Sequence, residues 1–283
     1  MIPGTTVTIN RLSDTIGAEV VGVDADVLVK DDDLAAEVLR AIGIYGVLVF
    51  RDFDLKPETQ VELCSKWGDI DRTPGHHPVP GIYRVTLDVT KNAAADYLQG
   101  TFYWHIDGCN GQGAECPQMT TMLSAVVVAA EGGDTEFAST YAAYQDLSEE
   151  ERMLVTGLRV VHSLEASQRK AHPDASTDDV ARWRARPSSE HPLVWTHRDG
   201  RRSLVLGASA DYVVGMDVEE GRNLLADLLD RSTTPDRVYR HHWAVGDTVI
   251  WDNRGVLHRV GHYKSTSSRE MLRTTVLGDE PIQ

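Results

Sequence analysis

Short apolar runs, closed off by Gly, Pro or polar turn residues, most constrain what this chain can fold into. Val47-Leu48-Val49-Phe50, Thr120 to Ala130, Thr248 to Trp251 and Glu270 to Leu277 read as strands, because they are too short for helices and rich in β-branched residues. The longest unbroken apolar run, Ala125 to Ala130, reads as a buried strand. Further strands are expected over Thr6 to Arg11, Gly17 to Val23, Ile82 to Leu87 and Val160 to His162. Leu193 to Thr196 and Ser203 to Leu206 flank Arg198-Asp199-Gly200 as a hairpin.

Helices are expected between these strands. Asp31-Asp32-Asp33 opens one, with Leu34, Val38, Leu39 and Ile42 on its apolar face and Gly46 as its stop. Others begin at Pro57, at the capping pair Ser148 and Glu151, and at Asp217, whose helix carries Leu224, Leu225, Leu228 and Leu229. No repeat and no linker-like composition break interrupts the pattern. Residues 1–283 therefore read as one β-core domain with helical decoration, and 283 residues at 41% hydrophobic suffice for a substantial core. Two stretches stand out. Residues 88–101 are polar and Ala-rich, either a lid over a pocket or a surface excursion. Residues 163–189 form a charged insertion with helical stretches around Val180 to Trp183, a natural place for substrate-determining groups.

The net charge of −15, from 28 basic and 43 acidic residues, repels phosphate backbones and argues against nucleic acid as a partner. It leaves room for a small anion held by local arginines. Cys64, Cys109 and Cys116 are odd in number and lack a CxxC, so neither a disulfide framework nor a structural zinc site is expected, and the simplest setting is the reduced cytoplasm. Cys109 and Cys116 follow closely on the candidate metal ligands, but two thiolates would suit zinc better than a redox iron. Met1 to Thr6 shows no signal-peptide pattern. No run approaches the roughly 20 apolar residues of a spanning helix, so no membrane partner is expected.

The chemistry concentrates in Tyr103-Trp104-His105-Ile106-Asp107-Gly108. On a strand, period-2 geometry points His105 and Asp107 to one face. Such a pair supplies two of the three ligands of the two-His-one-carboxylate triad of non-haem iron oxygenases, or is simply a hydrogen-bonded pair at a strand end. His258 is the candidate third ligand. Arg269 and Arg273, four apart, share a strand face and suit a carboxylate, sulfonate or phosphate-like anion, or are surface arginines. Of the other histidines, all but His77 read as polar or structural.

Four elements in chain order carry a resemblance: His105-x-Asp107, the turn Gly132-Gly133-Asp134-Thr135, Trp251-Asp252-Asn253-Arg254 running to His258, and Arg269-x-x-x-Arg273. With them the chain resembles the TauD/TfdA family of Fe(II)- and 2-oxoglutarate-dependent dioxygenases. The resemblance implies a mainly β fold with surrounding helices, a double-stranded β-helix (jelly roll, cupin-like) core. It implies His105, Asp107 and His258 as iron ligands, Arg269 and Thr135 at the distal carboxylate of 2-oxoglutarate, and Arg273, His77 and Thr101 on the substrate side. Trp251 and Asp252-Asn253-Arg254 would be structural support.

The implied reaction consumes O2 and 2-oxoglutarate, releases succinate and CO2, and hydroxylates a C–H of a small anionic substrate; the carboxylate of Asp107 favours this over halogenation. A homo-oligomer is also implied. Pro80, Thr101-Phe102-Tyr103 and Gly207 to Asp211 depart from the taurine-acting members. Sulfonates, alkyl sulfates and carboxylates such as aryloxyalkanoates are therefore expected ahead of taurine. The alternatives are a zinc-dependent hydrolase on the same triad and a non-catalytic sensor of the same fold.

Overall fold

The computed structural model describes residues 7–110 and 116–283. The expected start of the first strand at Thr6, the N-terminal segment before it, and positions 111–115 of the loop after Gly108 lie outside the described residues. Two sheets form the centre. Their strands are β1 (Thr8–Arg11), β2 (Ala18–Val21), β3 (Val47–Phe50), β4 (Tyr83–Val85), β5 (Gln118–Val127), β6 (Thr135–Ser139), β7 (Val238–His241), β8 (Thr248–Asp252), β9 (Val256–Val260) and β10 (Glu270–Leu277). A seven-stranded sheet runs β1-β2-β3-β8-β5-β10-β4, and a three-stranded sheet runs β7-β6-β9. Pairing is antiparallel except between β2 and β3.

The large sheet is covered on both faces, which is why its strands read as near-continuous apolar runs. Val47, Val49, Leu123, Ala125, Val249, Trp251 and Met271 point to a core shared with Phe137 of β6 and Val256 of β9. Their neighbours Leu48, Phe50, Met122 and Ile250 point the other way. There they meet α1 (Ala25–Lys30), α2 (Asp32–Tyr45) and α3 (Pro57–Ser65) through Leu28, Val38, Ile42 and Leu63. Asp31 caps α2 by accepting from Leu34 N, and Gly46, at φ 72°, ends it as the sequence predicts.

A second core joins α4 (Thr140–Gln145), α5 (Glu149–Val155) and α8 (Val218–Ser232) to the hairpin Val194–Thr196/Arg202–Leu204 and to the small sheet of Arg159–His162, Ser189–Pro192 and Ala210–Val213. The Ser148–Glu151 capping box forms. α6 (Leu164–Ala171) and α7 (Thr177–Arg184) replace the irregular insertion. A 3-10 turn, Ala95–Phe102, occupies the end of the 88–101 stretch. It is tied down by the fully buried Asn92, whose Nδ2 donates to Arg84 O.

The run Ala125 to Ala130 differs from expectation. β5 ends at Val127, and Val126 is exposed. Pairing with β8 stops at Ser124, so only β10 continues alongside. Among the described residues, no helix is long and apolar enough to cross a membrane.

Phe137 is fully buried between the two sheets, with Trp251 and Tyr239 rings 5.5 and 6.4 Å away. Phe137→Ala is expected to cost about 3–5 kcal/mol in urea denaturation. A loss below about 1 kcal/mol would mean that this site collapses around the void.

Candidate active site

Alternation along Trp104 to Asp107 sets up the site. Trp104 and Ile106 are buried with Cys109, Ala138, Trp195 and Leu257, which leaves His105 and Asp107 facing a cavity. His105 pairs with His258 of β9, each backbone N–H donating to the other's carbonyl at 3.0 Å. Their rings lie 4.2 Å apart. Gly207 lies against this segment: a Cβ there would stand 2.9 Å from His105 Cα, and Ala208 N donates to Trp104 O. β8 belongs to the large sheet and β9 to the small one. The turn between them is held by Asp252, which accepts from both Nε and Nη2 of Arg254.

Asp107 Oδ1 is 3.7 Å from His105 Nε2, and Oδ2 is 3.7 Å from His258 Nε2. The three ligand atoms lie within 4.8 Å of one another. The 3.7 Å separations exceed a direct hydrogen bond and suit atoms arranged around an ion. His105 Nδ1 donates to Tyr103 O at 2.8 Å, which turns Nε2 toward the cluster. Burial pushes His258 down to about 3, so its imidazole is neutral. Burial works to raise Asp107. The facing His258, Arg273 and His105, with the Thr121 hydroxyl, outweigh it and hold the carboxyl below its usual range. Two imidazoles and one carboxylate are the donor set of a facial triad, and a divalent iron fits these residues. Burial and the neighbouring Asp107 charge push the Cys109 thiol up to about 12, so it stays protonated and is no competing ligand.

On one side, an inner cavity is lined by Thr135, Tyr263, Arg269 and His258. Arg269 is 3% exposed, and among the described residues no carboxylate lies within ion-pair distance of it. Its guanidinium stands 5.0 Å over the Tyr263 ring. A buried cation in that position calls for an anionic ligand. Gly133 makes room for it, since a Cβ there would sit 3.0 Å from Arg269 Cδ. The Thr135 hydroxyl accepts from Trp243 Nε1 at 2.9 Å, which leaves its own proton for a ligand.

On the other side, an outer cavity of about 360 Å³ is lined by Leu98, Leu164, Gln168, Arg186 and Ser209. Thr101, His105, Asp107 and Arg273 line both cavities. Arg273 also covers the Tyr83 ring at 4.8 Å.

His77 is not brought to this site. Its Nδ1 accepts from Val79 N at 3.1 Å, and it lines neither cavity. Burial and the charge of Arg84 lower its pKa. Sequence reasoning does not single out Trp243, Tyr263, Gln168 or Arg186. Trp243 closes a stretch, Arg237 to Trp243, whose alternation points to a strand and not to a site; Tyr263 lies in an irregular segment, and the other two become visible only once α6 and α7 fold beside the 3-10 turn.

The family model described as "Taurine catabolism dioxygenase TauD, TfdA family" matches residues 8–275. An alpha-ketoglutarate-dependent 2,4-dichlorophenoxyacetate dioxygenase of Burkholderia sp. (strain RASC) is 39% identical over 248 residues, 82% of each chain. An (S)-phenoxypropionate/alpha-ketoglutarate-dioxygenase of Sphingobium herbicidovorans is 33% identical over 95% of this chain and 94% of its own. The crystal structure of AAD-2 in complex with Mn(II) and N-oxalylglycine superimposes with a TM-score of 0.82 at 33% identity, covering 98% of this chain and 100% of that one. The chain belongs to the TauD/TfdA family of 2-oxoglutarate-dependent dioxygenases.

Proposed function

We propose that this dioxygenase hydroxylates a C–H of a small carboxylate-bearing substrate of the aryloxyalkanoate type. The observation that carries this reading is the position of the triad: His105 and Asp107 line both cavities and His258 the inner one, with Arg269 in the inner cavity and Arg273 on the wall that the two share. The phenoxy-acid relatives support a carboxylate over a sulfonate or an alkyl sulfate. Neither a zinc hydrolase nor a sensor finds support among the relatives.

Iron(II) held by His105, Asp107 and His258 supplies the redox centre at which O2 and 2-oxoglutarate are consumed, with succinate and CO2 as products. The residues of the chain bind and orient. Arg269 pairs with the distal carboxylate of 2-oxoglutarate and Thr135 donates to it, so the 2-oxo acid end turns toward the triad. Trp243 fixes the direction of the Thr135 hydroxyl. Arg273, at the wall shared by both cavities, holds the anionic end of the substrate in the outer one, beside Thr101. Leu98 and Leu164 offer its ring an apolar surface and keep water out.

The same reading takes the facing sheets as a double-stranded β-helix and the chain as a single domain, with residues 88–101 as a lid and 163–189 as a specificity insertion. It places the enzyme in the cytoplasm as a homo-oligomer acting without nucleic acid or membrane.

Two kinetic predictions separate the arginines. Arg269→Ala should raise the KM for 2-oxoglutarate at least about 30-fold, since truncating a buried charge partner costs about 2 kcal/mol or more. Arg273→Ala should raise the KM for a phenoxyacetate at least about 10-fold, the loss of one charge-assisted hydrogen bond, with little change in the 2-oxoglutarate KM. A 2-oxoglutarate defect in both variants would assign Arg273 to the co-substrate instead. Substrate class is tested by succinate release across phenoxyacetates, phenoxypropionates, alkyl sulfates and taurine. Release stimulated by taurine or the sulfates and not by the phenoxy acids would overturn the carboxylate assignment.

A further inference from the structure

Asp107 stands at the end of a buried polar chain that begins at Trp251. Trp251 Nε1 donates to Asn253 Oδ1 at 2.8 Å, Asn253 Nδ2 donates to Thr121 Oγ1 at 2.8 Å, and Thr121 Oγ1 donates to Asp107 Oδ2 across a longer 3.4 Å. Trp251 is 3% exposed, and Asn253 and Thr121 are both 0% exposed. The relay is therefore buried up to its end at Asp107, which opens on the cavities.

The chemistry of the groups gives the chain a single direction. An indole N–H only donates, so it fixes the Asn253 amide with its oxygen toward Trp251. The amide NH2 then faces Thr121, whose oxygen must accept. The one hydroxyl proton of Thr121 is left for Asp107, which must receive it as an acceptor.

The chain also couples two ligands. The Trp251 ring lies 4.8 Å from the His258 ring while its N–H feeds the relay toward Asp107. Thr121 is the cross-strand partner of Trp251 in the pairing of β5 with β8. Asn253 and Thr121 line neither cavity, so they touch neither substrate nor co-substrate.

We propose that the Trp251–Asn253–Thr121 relay positions the Asp107 carboxylate for the metal, which makes metal affinity depend on a hydroxyl and an indole N–H outside the ligand set. The inference rests on the reading of His105, Asp107 and His258 as the metal ligands. Asn253 and Trp251 are thus positioning residues, and the Trp-Asp-Asn-Arg segment does more than close a turn.

The test is Mn(II) titration of the metal-stripped protein by calorimetry, with folding checked by circular dichroism. Thr121→Val keeps the shape and removes the hydroxyl, Thr121→Ser keeps the hydroxyl, and Trp251→Phe removes the N–H two links away. The valine variant should bind Mn(II) about 10- to 100-fold more weakly, the range for losing an outer partner of a metal ligand. The serine variant should return to within about threefold of wild type, and the phenylalanine variant should weaken binding by about threefold or more. Wild-type affinity in both folded Thr121→Val and Trp251→Phe would overturn the relay. If the valine variant fails to fold, the phenylalanine variant decides the question alone. A wild-type protein that binds no Mn(II) would instead overturn the ligand assignment on which the relay stands.

Discussion

The reciprocal backbone pair between His105 and His258 is the contact on which the site depends. Two hydrogen bonds of 3.0 Å bring a segment outside the named strands onto β9. Both imidazoles then project into one cavity, and period-2 geometry delivers Asp107 beside them. Everything near this pair serves to keep it in register. The Gly207 backbone lies against one side, and Trp104 and Ile106 anchor the other in a core with Leu257. Glu136 of the neighbouring strand, nearly fully buried, accepts from both Arg240 and Arg259, and Arg259 in turn covers the Trp104 ring at 4.6 Å.

Electrostatics complete the arrangement. A chain of net charge −15 binds anions only where it concentrates cations. Arg269 is buried over Tyr263 without a carboxylate partner among the described residues, whereas Arg184, Arg198 and Arg222 at the surface are each paired. Arg273 favours the charged form of Asp107 and reaches both cavities. Both cationic groups line the inner cavity, and Arg273 alone of the two extends to the outer one.

Much of this was legible in the residues, for identifiable reasons. Strands buried on both faces announce themselves as apolar runs, so β3, β8 and β10 fall where the sequence places them. α2, α5 and α8 were marked by acidic or serine caps. α4 was hidden because it follows β6 without a break and its cap, Ser139, is itself the last residue of the strand. α6 was hidden because its cap, Ser163, has Ala166 and no acid three residues on. The triad was legible only as an ordered set of motifs, since nothing local to His258 points to His105. His77 lines neither cavity in the structure, its ring accepting from Val79 N of its own loop. Thr121 was invisible as a site residue: it is one of two adjacent threonines in a strand, and its role appears only when Asn253 and Asp107 are brought against it.

The central claim is that His105, Asp107 and His258 hold iron(II) with one face open to 2-oxoglutarate. Anaerobic titration of the metal-free protein with Fe(II) and then 2-oxoglutarate tests it most directly, through the weak visible metal-to-ligand charge-transfer band. The account predicts a band that requires both additions and is absent when Asp107→Ala replaces the wild-type protein. Well-folded wild-type protein that gives no band, or a band unchanged in Asp107→Ala, would contradict it.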